Sequence, residues 1–313
     1  MTDALTSNPT KTPRHRGDRV FSSVATAAGW IILVILAAVA IFLVAQSLPA
    51  LTASPDDISH KDVSFWEYVW PLAFGTVWAA ALALVIAVPF SIGIALFITQ
   101  YAPRGLARTL GYVVDLLAAI PSVVYGLWGI IVLAPAVRPF YEWLSVNLGW
   151  IPLFAGPVSG TGRTILTVAL VLAVMILPII TAISREVFLQ VPRLHIEAAE
   201  ALGATKWEMI RMAVLPYGRA GIISATMLGL GRALGETMAV AMVLSPSLVV
   251  SFALLQSQNP STIAANIALN FPEAHGVGVN VLIATGLILF VITLLVNAAA
   301  RYVINRRKDF VEN

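Results

Sequence analysis

The sequence predicts an all-α membrane protein with six transmembrane helices. Hydrophobic residues make up 59% of its 313 residues and charged residues only 11%, whereas soluble domains usually carry about 25% charged residues. Six predominantly apolar stretches have about the length of roughly 20 residues that a helix needs to cross a bilayer. These stretches lie near residues 22–48, 72–100, 110–135, 164–183, 217–244 and 279–300.

Two of the six predicted spans contain residues that interrupt or loosen a helix. Pro121 falls inside the third span, and the fifth span is rich in glycine. Such helices are tolerated at membrane depth where protein or a water-filled path surrounds them. We therefore expect either protein or a water-filled path around the third and fifth spans. The glycines of the fifth span are Gly218, Gly221, Gly229, Gly231 and Gly235.

The distribution of Lys and Arg predicts the orientation of the chain. Fifteen of the 19 basic residues belong to the two termini and to the loops after the second and fourth spans. Only Lys61, Arg138 and Arg163 belong to the opposite side. Because cytoplasmic loops carry the Lys and Arg excess, both termini and the loop at 184–216 are expected to be cytoplasmic. The net charge of +3 then reflects topology and does not indicate nucleic-acid binding.

The sequence contains no pattern for nucleotide hydrolysis, catalysis or metal binding. A phosphate-cradling nucleotide loop requires a Gly-Lys-Ser/Thr step, and no lysine of this chain follows a glycine. The four histidines are scattered without the spacing of zinc ligands, and there is no cysteine. We therefore predict no catalytic site, no metal site and no cofactor bound by this chain.

The segment from Glu197 to Pro216 is charged and helix-prone, although it joins two membrane-length apolar runs. Apolar residues recur at helical spacing in two sets, which predicts two short amphipathic helices. Gly203 lies between them, where a helix end favours positive φ, and Pro216 fits the first turn of the next span. The two sets are Ala198, Ala201 and Leu202, and then Trp207, Ile210 and Val214.

Two interpretations of this segment are open from its residues alone. Its charged residues favour a docking surface for another protein at the membrane edge, and a helix that touches only lipid headgroups is the alternative. The charged residues are Glu197, Glu200, Lys206, Glu208 and Arg211.

Arg232 and Glu236 are the candidate substrate site. They are four positions apart inside the fifth span, so the spacing predicts that they share one face of a helix. A charge at the centre of a membrane helix costs at least about 2.5–3.5 kcal/mol, and such residues usually mark a pathway. The alternative is an intrahelical ion pair that only stabilises the bundle.

The chemistry of this pair favours phosphate over sulfate. The planar guanidinium of Arg232 is suited to bidentate binding of an oxyanion. Glu236 can accept a hydrogen bond from hydrogen phosphate, which keeps an O–H at neutral pH, whereas sulfate has none. A buried acceptor rejects a ligand that lacks the donor.

The 197–216 segment resembles the signature loop of ABC-importer permeases. The match consists of Glu197-Ala198-Ala199, then Gly203, and then Leu215-Pro216 at the family spacing. Ala213 stands where that family usually has isoleucine. The resemblance implies that this loop forms a coupling helix held by a separate ATPase subunit, which uses ATP and Mg.

Three further stretches resemble the phosphate-specific permeases of the PstC type, within the binding-protein-dependent transport system inner-membrane component family. They are GRALGETMAV at 231–240, AAIPSVVYGLWG at 118–129, and the pair Arg185-Glu186. The resemblance implies an ABC importer type I permease fold and roles for Arg232 and Glu236 in phosphate passage. Ser122 and Tyr125 are weaker candidate site residues, with packing around the Pro121 kink as the alternative. Asp115 and Asn280 receive no role.

The same resemblance implies the partners. These are a PstA-like permease that completes a heterodimer, a PstB-like ATPase dimer, a periplasmic or lipid-anchored phosphate-binding protein, and membrane lipids. The predicted function is ATP-driven import of inorganic phosphate across the cytoplasmic membrane. The alternatives are a permease for sulfate, molybdate or phosphonate, or the PstA-like half of the phosphate permease.

The predicted organisation of the chain follows from these assignments. We expect a disordered, basic cytoplasmic tail at 1–20, and the first transmembrane helix with an external interfacial segment at 21–71. The permease domain covers 72–301 with the coupling loop at 185–216, and a second cytoplasmic tail covers 302–313.

Overall fold

The structure is a computed structural model that describes residues 16–52 and 63–308. Much of the predicted tail at 1–20, part of the segment at 49–71 and the end of the tail at 302–313 therefore lie outside the described residues. The first helix already includes residues 16–20, and the last helix continues to Lys308.

Within these ranges the chain forms twelve α-helices and one pair of very short strands. A π-helical turn at Phe97–Tyr101 extends α2, and similar turns at Gly129–Leu133 and Ile210–Val214 join α4 to α5 and α8 to α9. Strand β1, Pro246–Ser247, pairs in parallel with β2, Asn259–Pro260. The helices are α1 Arg16–Leu51, α2 Phe65–Leu96, α3 Arg104–Ala118, α4 Ser122–Trp128, α5 Ala134–Leu148, α6 Ile165–Leu189, α7 Arg193–Ala201, α8 Lys206–Met209, α9 Leu215–Leu234, α10 Met238–Val243, α11 Ile263–Asn270 and α12 Val277–Lys308.

Six helical stretches in the described ranges are long and apolar enough to cross a membrane, so the predicted all-α class and number of spans are confirmed. They run over Val20–Leu51, Phe65–Tyr101, Ser122–Leu148, Ile165–Leu189, Lys206–Leu234 and Val277–Tyr302.

The third span differs from the predicted range of 110–135. Helix α3 ends at Ala118, and a new helix begins after Pro121, so the spanning stretch is Ser122–Leu148. Proline has no backbone N–H to donate, and it is accommodated at the start of a helix. Pro121 therefore separates two helices instead of bending one. Helix α5 continues to Leu148, so part of the stretch between the predicted third and fourth spans is helical.

The centre of the bundle is the contact between α2 and α6. Helix α2 buries Ala79, Ala83 and Ala87 against this neighbour, and small residues let helix backbones approach closely in a membrane. The Oγ of Ser91 also donates a hydrogen bond of 3.1 Å to the carbonyl oxygen of Leu177 on α6.

Helix α9 packs against α6 through three of its glycines. A Cβ at Gly218, Gly221 or Gly229 would fall within 2.9 Å of a side chain of α6.

Helix α1 packs along α12, where Asn280 Nδ2 donates to the Oε1 of Gln46 at 3.0 Å. Asn280 therefore joins two helices.

Backbone hydrogen bonds tie the segments at 149–164 and 245–262 together at one end of the bundle, called here the loop end. The Leu254 N–H donates to the Leu153 carbonyl at 2.8 Å, and the Ser159 N–H donates to the Leu255 carbonyl at the same distance. The chain between α6 and α9 lies at the opposite end.

Candidate functional site

Arg232 lies in the last turn of α9, with a half-buried side chain. It lines a cavity of about 530 Å3 between α6, α9 and α12. Its Nε is buried and has no hydrogen-bond partner in the described part of the chain. Leaving a buried donor unsatisfied costs about 1–3 kcal/mol, so the arginine is suited to an acceptor that enters this cavity. The other lining residues are Ile179, Ser224, Met227, Leu228, Gly231 and Asn297.

The glycines around Arg232 have two different roles. Among the described residues, a Cβ at Gly231 would meet no atom within 4 Å, and one at Gly235 would approach only the Gly231 carbonyl oxygen, at 3.6 Å. A Cβ at Gly229 would come within 2.8 Å of Ile180 on α6. Gly231 and Gly235 thus leave open space beside the arginine, whereas Gly229 permits close packing.

Glu236 does not share a helix with Arg232, so the prediction of one helical face is wrong. Helix α9 ends at Leu234, Gly235 is its C-cap, and α10 begins only at Met238. Gly235 has φ of −93°, which any residue can adopt, so the helix end does not depend on left-handed backbone. The predicted continuous span at 217–244 is broken at this point.

Glu236 lies in this break with 8% of its surface exposed. Its Oε1 accepts a hydrogen bond of 3.1 Å from the Ala239 N–H in the first turn of α10. No hydrogen bond to its second carboxylate oxygen comes from the described part of the chain. Among the described residues, ion pairs join Arg138 to Glu142 and Arg185 to Asp115. The alternative of an intrahelical Arg232–Glu236 ion pair is therefore wrong.

Tyr125 is buried near this break. Its hydroxyl donates a hydrogen bond of 2.9 Å to the Leu117 carbonyl. The hydrogen bond spans the gap between α3 and α4, which fits packing around the break at Pro121. Ser122 is the first residue of α4 and is half-buried, without a side-chain hydrogen bond in the described ranges.

Arg163 holds the far end of α10, which the sequence did not predict. Its Nη2 donates to the carbonyl oxygens of Leu244 at 2.9 Å and Met242 at 3.2 Å, and its Nε donates to that of Val243 at 3.3 Å. These carbonyls have no partner within α10 because the helix ends there. Glu236 and Arg163 therefore secure the two ends of α10. The partners are about 80 residues apart in the chain, and no local pattern could have revealed them.

Helices α7 and α8 form the predicted pair of short helices in the 197–216 segment. Gly203 lies between them with φ of +80°, which confirms the predicted positive φ. Thr205 and Glu208 form a capping box at the start of α8, in which the carboxylate accepts the Thr205 N–H at 2.8 Å. The turn is therefore well defined on both sides.

The apolar faces of these helices differ from the prediction. The buried residues are Ala199, Met209, Ile210 and Val214, which pack with the ends of α2 and α6. Ala198, Leu202 and Trp207 point away from this cluster and are exposed. Ile210 and Val214 are therefore buried as predicted, whereas Ala199 and Met209 take the inner positions predicted for the other residues.

The residues of the ABC-importer signature lie along this exposed surface and at its border with α9. Glu197 and Ala198 are exposed on α7. Leu215 is half-buried and Pro216 is exposed at the start of α9, so this helix begins with the predicted proline. Apolar side chains also project here, with Leu202 88% and Trp207 59% exposed. An exposed surface with charged and large apolar groups is typical of a protein contact.

Known proteins resemble this chain in sequence over most of its length. The profile of the family "Binding-protein-dependent transport system inner membrane component" matches residues 87–309. "Phosphate transport system permease protein PstC 2" of Mycobacterium tuberculosis is 49% identical, with 92% of each chain covered. "Phosphate transport system permease protein PstC" of Mycobacterium leprae is 46% identical, with 92% of this chain and 93% of the relative covered.

Solved structures of importers have the same fold. A bacterial ABC transporter involved in the import of alginate has a chain with a TM-score of 0.57 and 15% identity, covering 92% of this chain and 99% of its own. A chain of the MetNI methionine ABC transporter has a TM-score of 0.50 and 20% identity, covering 76% and 93%. These similarities establish the fold alone. Together with the sequence relatives and the family profile, they place this multi-pass membrane protein in the binding-protein-dependent transport system inner membrane component family, among its PstC-type members.

Proposed function

We propose that this chain is the permease subunit of an ABC importer that moves inorganic phosphate across the cytoplasmic membrane. The observation that carries the proposal is the 49% identity, over 92% of both chains, to a phosphate transport system permease. The half-buried Arg232 in its cavity supports an anionic substrate. Both termini are cytoplasmic in this proposal, as the distribution of basic residues predicts.

Phosphate binds, in this proposal, between the end of α9 and the start of α10. Arg232 supplies hydrogen-bond donors to the oxyanion. The carboxylate of Glu236 keeps one oxygen for the O–H of hydrogen phosphate while the other caps α10. Ser122 and Tyr125 border the same break, but the Tyr125 hydroxyl already has a backbone acceptor. The break supports this placement because a helix end leaves backbone polar groups without helical partners, next to the open space at Gly231 and Gly235.

Separate subunits supply the energy and deliver the substrate. We infer a heterodimer with a PstA-like permease, a PstB-like ATPase dimer that uses ATP and Mg, and a periplasmic or lipid-anchored phosphate-binding protein. The exposed surface formed by α7, α8 and the turn at Gly203 is the contact with the ATPase. Its contact with the ends of α2 and α6 supports this role, because movement of the surface is transmitted to the bundle centre.

The proposed mechanism is alternating access. Phosphate enters from the outer side between the two permeases. ATP-driven closure of the ATPase dimer pulls on the coupling surface and opens the path outward, and hydrolysis returns it to the inward-facing state. In this cycle the chain contributes part of the path and one coupling surface, and the ATPase carries out the hydrolysis.

Competition for uptake tests the substrate. Cells that lack only this chain, grown at limiting phosphate, should lose uptake of labelled phosphate and regain it when the chain is supplied. Excess sulfate, molybdate or phosphonate should leave the restored uptake unchanged. Restoration of sulfate, molybdate or phosphonate uptake in place of phosphate uptake would contradict the proposal and assign the chain to one of those importers.

A further inference from the structure

A second cavity lies where α2 and α6 end and α3 crosses them, closer to the C-terminal end of α6 than the cavity at Arg232. It has a volume of about 310 Å3, and its walls include Ile98 of the α2 extension and Leu189 of α6. Arg108, Asp115 and Arg185 also line it. Since a water molecule occupies about 30 Å3 in the liquid, the cavity has room for a small polar group.

The guanidinium of Arg185 is the least exposed charge in this cavity. Its side chain is 20% exposed, against 51% for that of Asp115. Its Nη2 lies 3.6 Å from the Asp115 Oδ2, and its Nε is buried without a hydrogen-bond partner in the described ranges. The Asp115 carboxylate thus lies beside one end of the Arg185 guanidinium. The other N–H donors of Arg185 can bind a second acceptor.

Helix α3 adds a second cation to the same face. Arg108, Gly111 and Asp115 are spaced three and four residues apart and therefore share one side of the helix. Gly111 makes room for the guanidinium, because a Cβ there would collide with the Arg185 Nη1. Two arginines and one aspartate leave the cavity with one net positive charge.

We propose that this cavity is a binding site for a phosphate group. Arginine forks bind phosphate oxygens through paired, charge-assisted hydrogen bonds. Basic pockets between membrane helices at the cytoplasmic border bind lipid headgroups, and a free phosphate ion presents the same oxygens. The site is distinct from the cavity at Arg232 and does not depend on what the chain transports.

The test measures phosphate-group binding to the full-length chain in two arms. In the first, the chain is held in nanodiscs of phosphatidylcholine alone and is titrated with radiolabelled inorganic phosphate. In the second, the nanodiscs contain phosphatidylcholine and phosphatidylglycerol, and native mass spectrometry counts the anionic lipid that stays bound. The cavity at Arg232 is unchanged in every variant and contributes a constant background.

Arg185→Gln and Arg108→Gln should each weaken binding about tenfold or more in at least one arm, because charge-assisted hydrogen bonds are lost. Asp115→Asn should strengthen binding in the same arm, because it removes the competing negative charge. Gly111→Ala, which keeps every charge, should weaken binding by displacing the Arg185 guanidinium. Arg104→Gln is the matched control, because Arg104 is exposed on α3 and does not line the cavity.

The arm that responds identifies the source as a lipid headgroup or free phosphate, and either response supports the site. Binding in neither arm would overturn the proposal. So would equal losses with Arg104→Gln and Arg108→Gln, because surface charge alone would then explain them. If Arg185→Gln fails to fold, the opposite effects expected of Arg108→Gln and Asp115→Asn still decide the question.

Discussion

The guanidinium of Arg163 donates a hydrogen bond of 2.9 Å to the carbonyl oxygen of Leu244, although 81 residues separate them in the chain. Together with its bonds to Met242 and Val243, this contact holds α10 from the loop end. Glu236 caps the other end of α10. The candidate substrate site and the loop end are therefore joined through one six-residue helix.

Arg163→Ala should reduce both stability and uptake. Three helix carbonyls lose a charged donor, and hydrogen bonds to charged groups contribute about 1.5–3 kcal/mol each. Arg163→Lys should restore part of the loss, because an ammonium group can donate to these carbonyls but has no planar fork. Thermal unfolding of the purified transporter and phosphate uptake check both variants.

Arg138→Ala is the control, because its ion pair with Glu142 is half exposed and exposed pairs contribute about 0–1 kcal/mol. Equal effects of Arg138→Ala and Arg163→Ala would contradict this role.

Arg232→Ala should abolish uptake while the chain still assembles with its partners. The substitution removes the donors that face the 530 Å3 cavity and, because Nε has no partner in the described chain, breaks no internal hydrogen bond of that atom. Uptake should fall by at least about tenfold, since one charge-assisted hydrogen bond exceeds that in free energy. Co-purification with the ATPase reports assembly. Uptake near the wild-type rate would show that Arg232 does not bind the anion.

Glu236→Gln and Glu236→Ala separate the two roles of this carboxylate. The glutamine keeps an acceptor for the Ala239 N–H, so α10 should stay capped, whereas alanine removes the cap. Glutamine also offers N–H donors, which sulfate can accept. We expect Glu236→Gln to raise the ratio of sulfate to phosphate uptake by at least about tenfold. An unchanged ratio with normal protein levels would exclude Glu236 as the selectivity element.

Gly231→Ala and Gly229→Ala test whether Gly231 borders an open transport path and whether Gly229 serves close helix packing. The added methyl meets no atom within 4 Å at position 231, but lies within 2.8 Å of Ile180 at position 229. Gly229→Ala should therefore lower the unfolding temperature, whereas Gly231→Ala should preserve it and slow uptake. Gly93→Ala, another helical position without neighbours within 4 Å, is the control for the added methyl alone. Uptake that is slowed only in Gly229→Ala would argue against a path beside Arg232.

Gly203→Ala and Gly203→Pro test the coupling surface. No atom of the described residues lies within 4 Å of a Cβ at Gly203, so the φ of +80° causes any effect of the alanine. Left-handed backbone costs a non-glycine residue about 1–2 kcal/mol, and proline cannot adopt it. Both variants should lower the phosphate transported per ATP hydrolysed, the proline more strongly. Gly105→Ala, also without neighbours but with ordinary φ, should leave that ratio unchanged. A normal ratio in Gly203→Pro would remove the coupling role.

Local patterns in the sequence predicted those parts of the fold that depend on composition. The first, fourth and sixth spans match α1, α6 and α12 because their apolar runs are uninterrupted. The predicted positions of the third and fifth spans were wrong because the helix is interrupted completely at Pro121 and at Gly235. Hydropathy averaged over a stretch of residues does not detect such an interruption. The positive φ at Gly203 followed from local capping rules.

The geometry of the candidate site was only partly predictable. Residue types identified Arg232 and Glu236, but their spacing suggested one helical face, and the structure separates them by a helix end. The anchoring of α10 by Arg163 depends on a contact between distant segments. From the sequence, Arg163 was predicted only as one of three basic residues on the side opposite to the termini.

Uptake by reconstituted vesicles tests the central claim most directly. Vesicles that contain this chain with its partner permease and ATPase, supplied with the phosphate-binding protein and ATP, should accumulate labelled phosphate against a gradient. Omission of the ATPase should stop accumulation. Uphill accumulation by vesicles that contain this chain alone would contradict the account, because the polypeptide would then power transport itself.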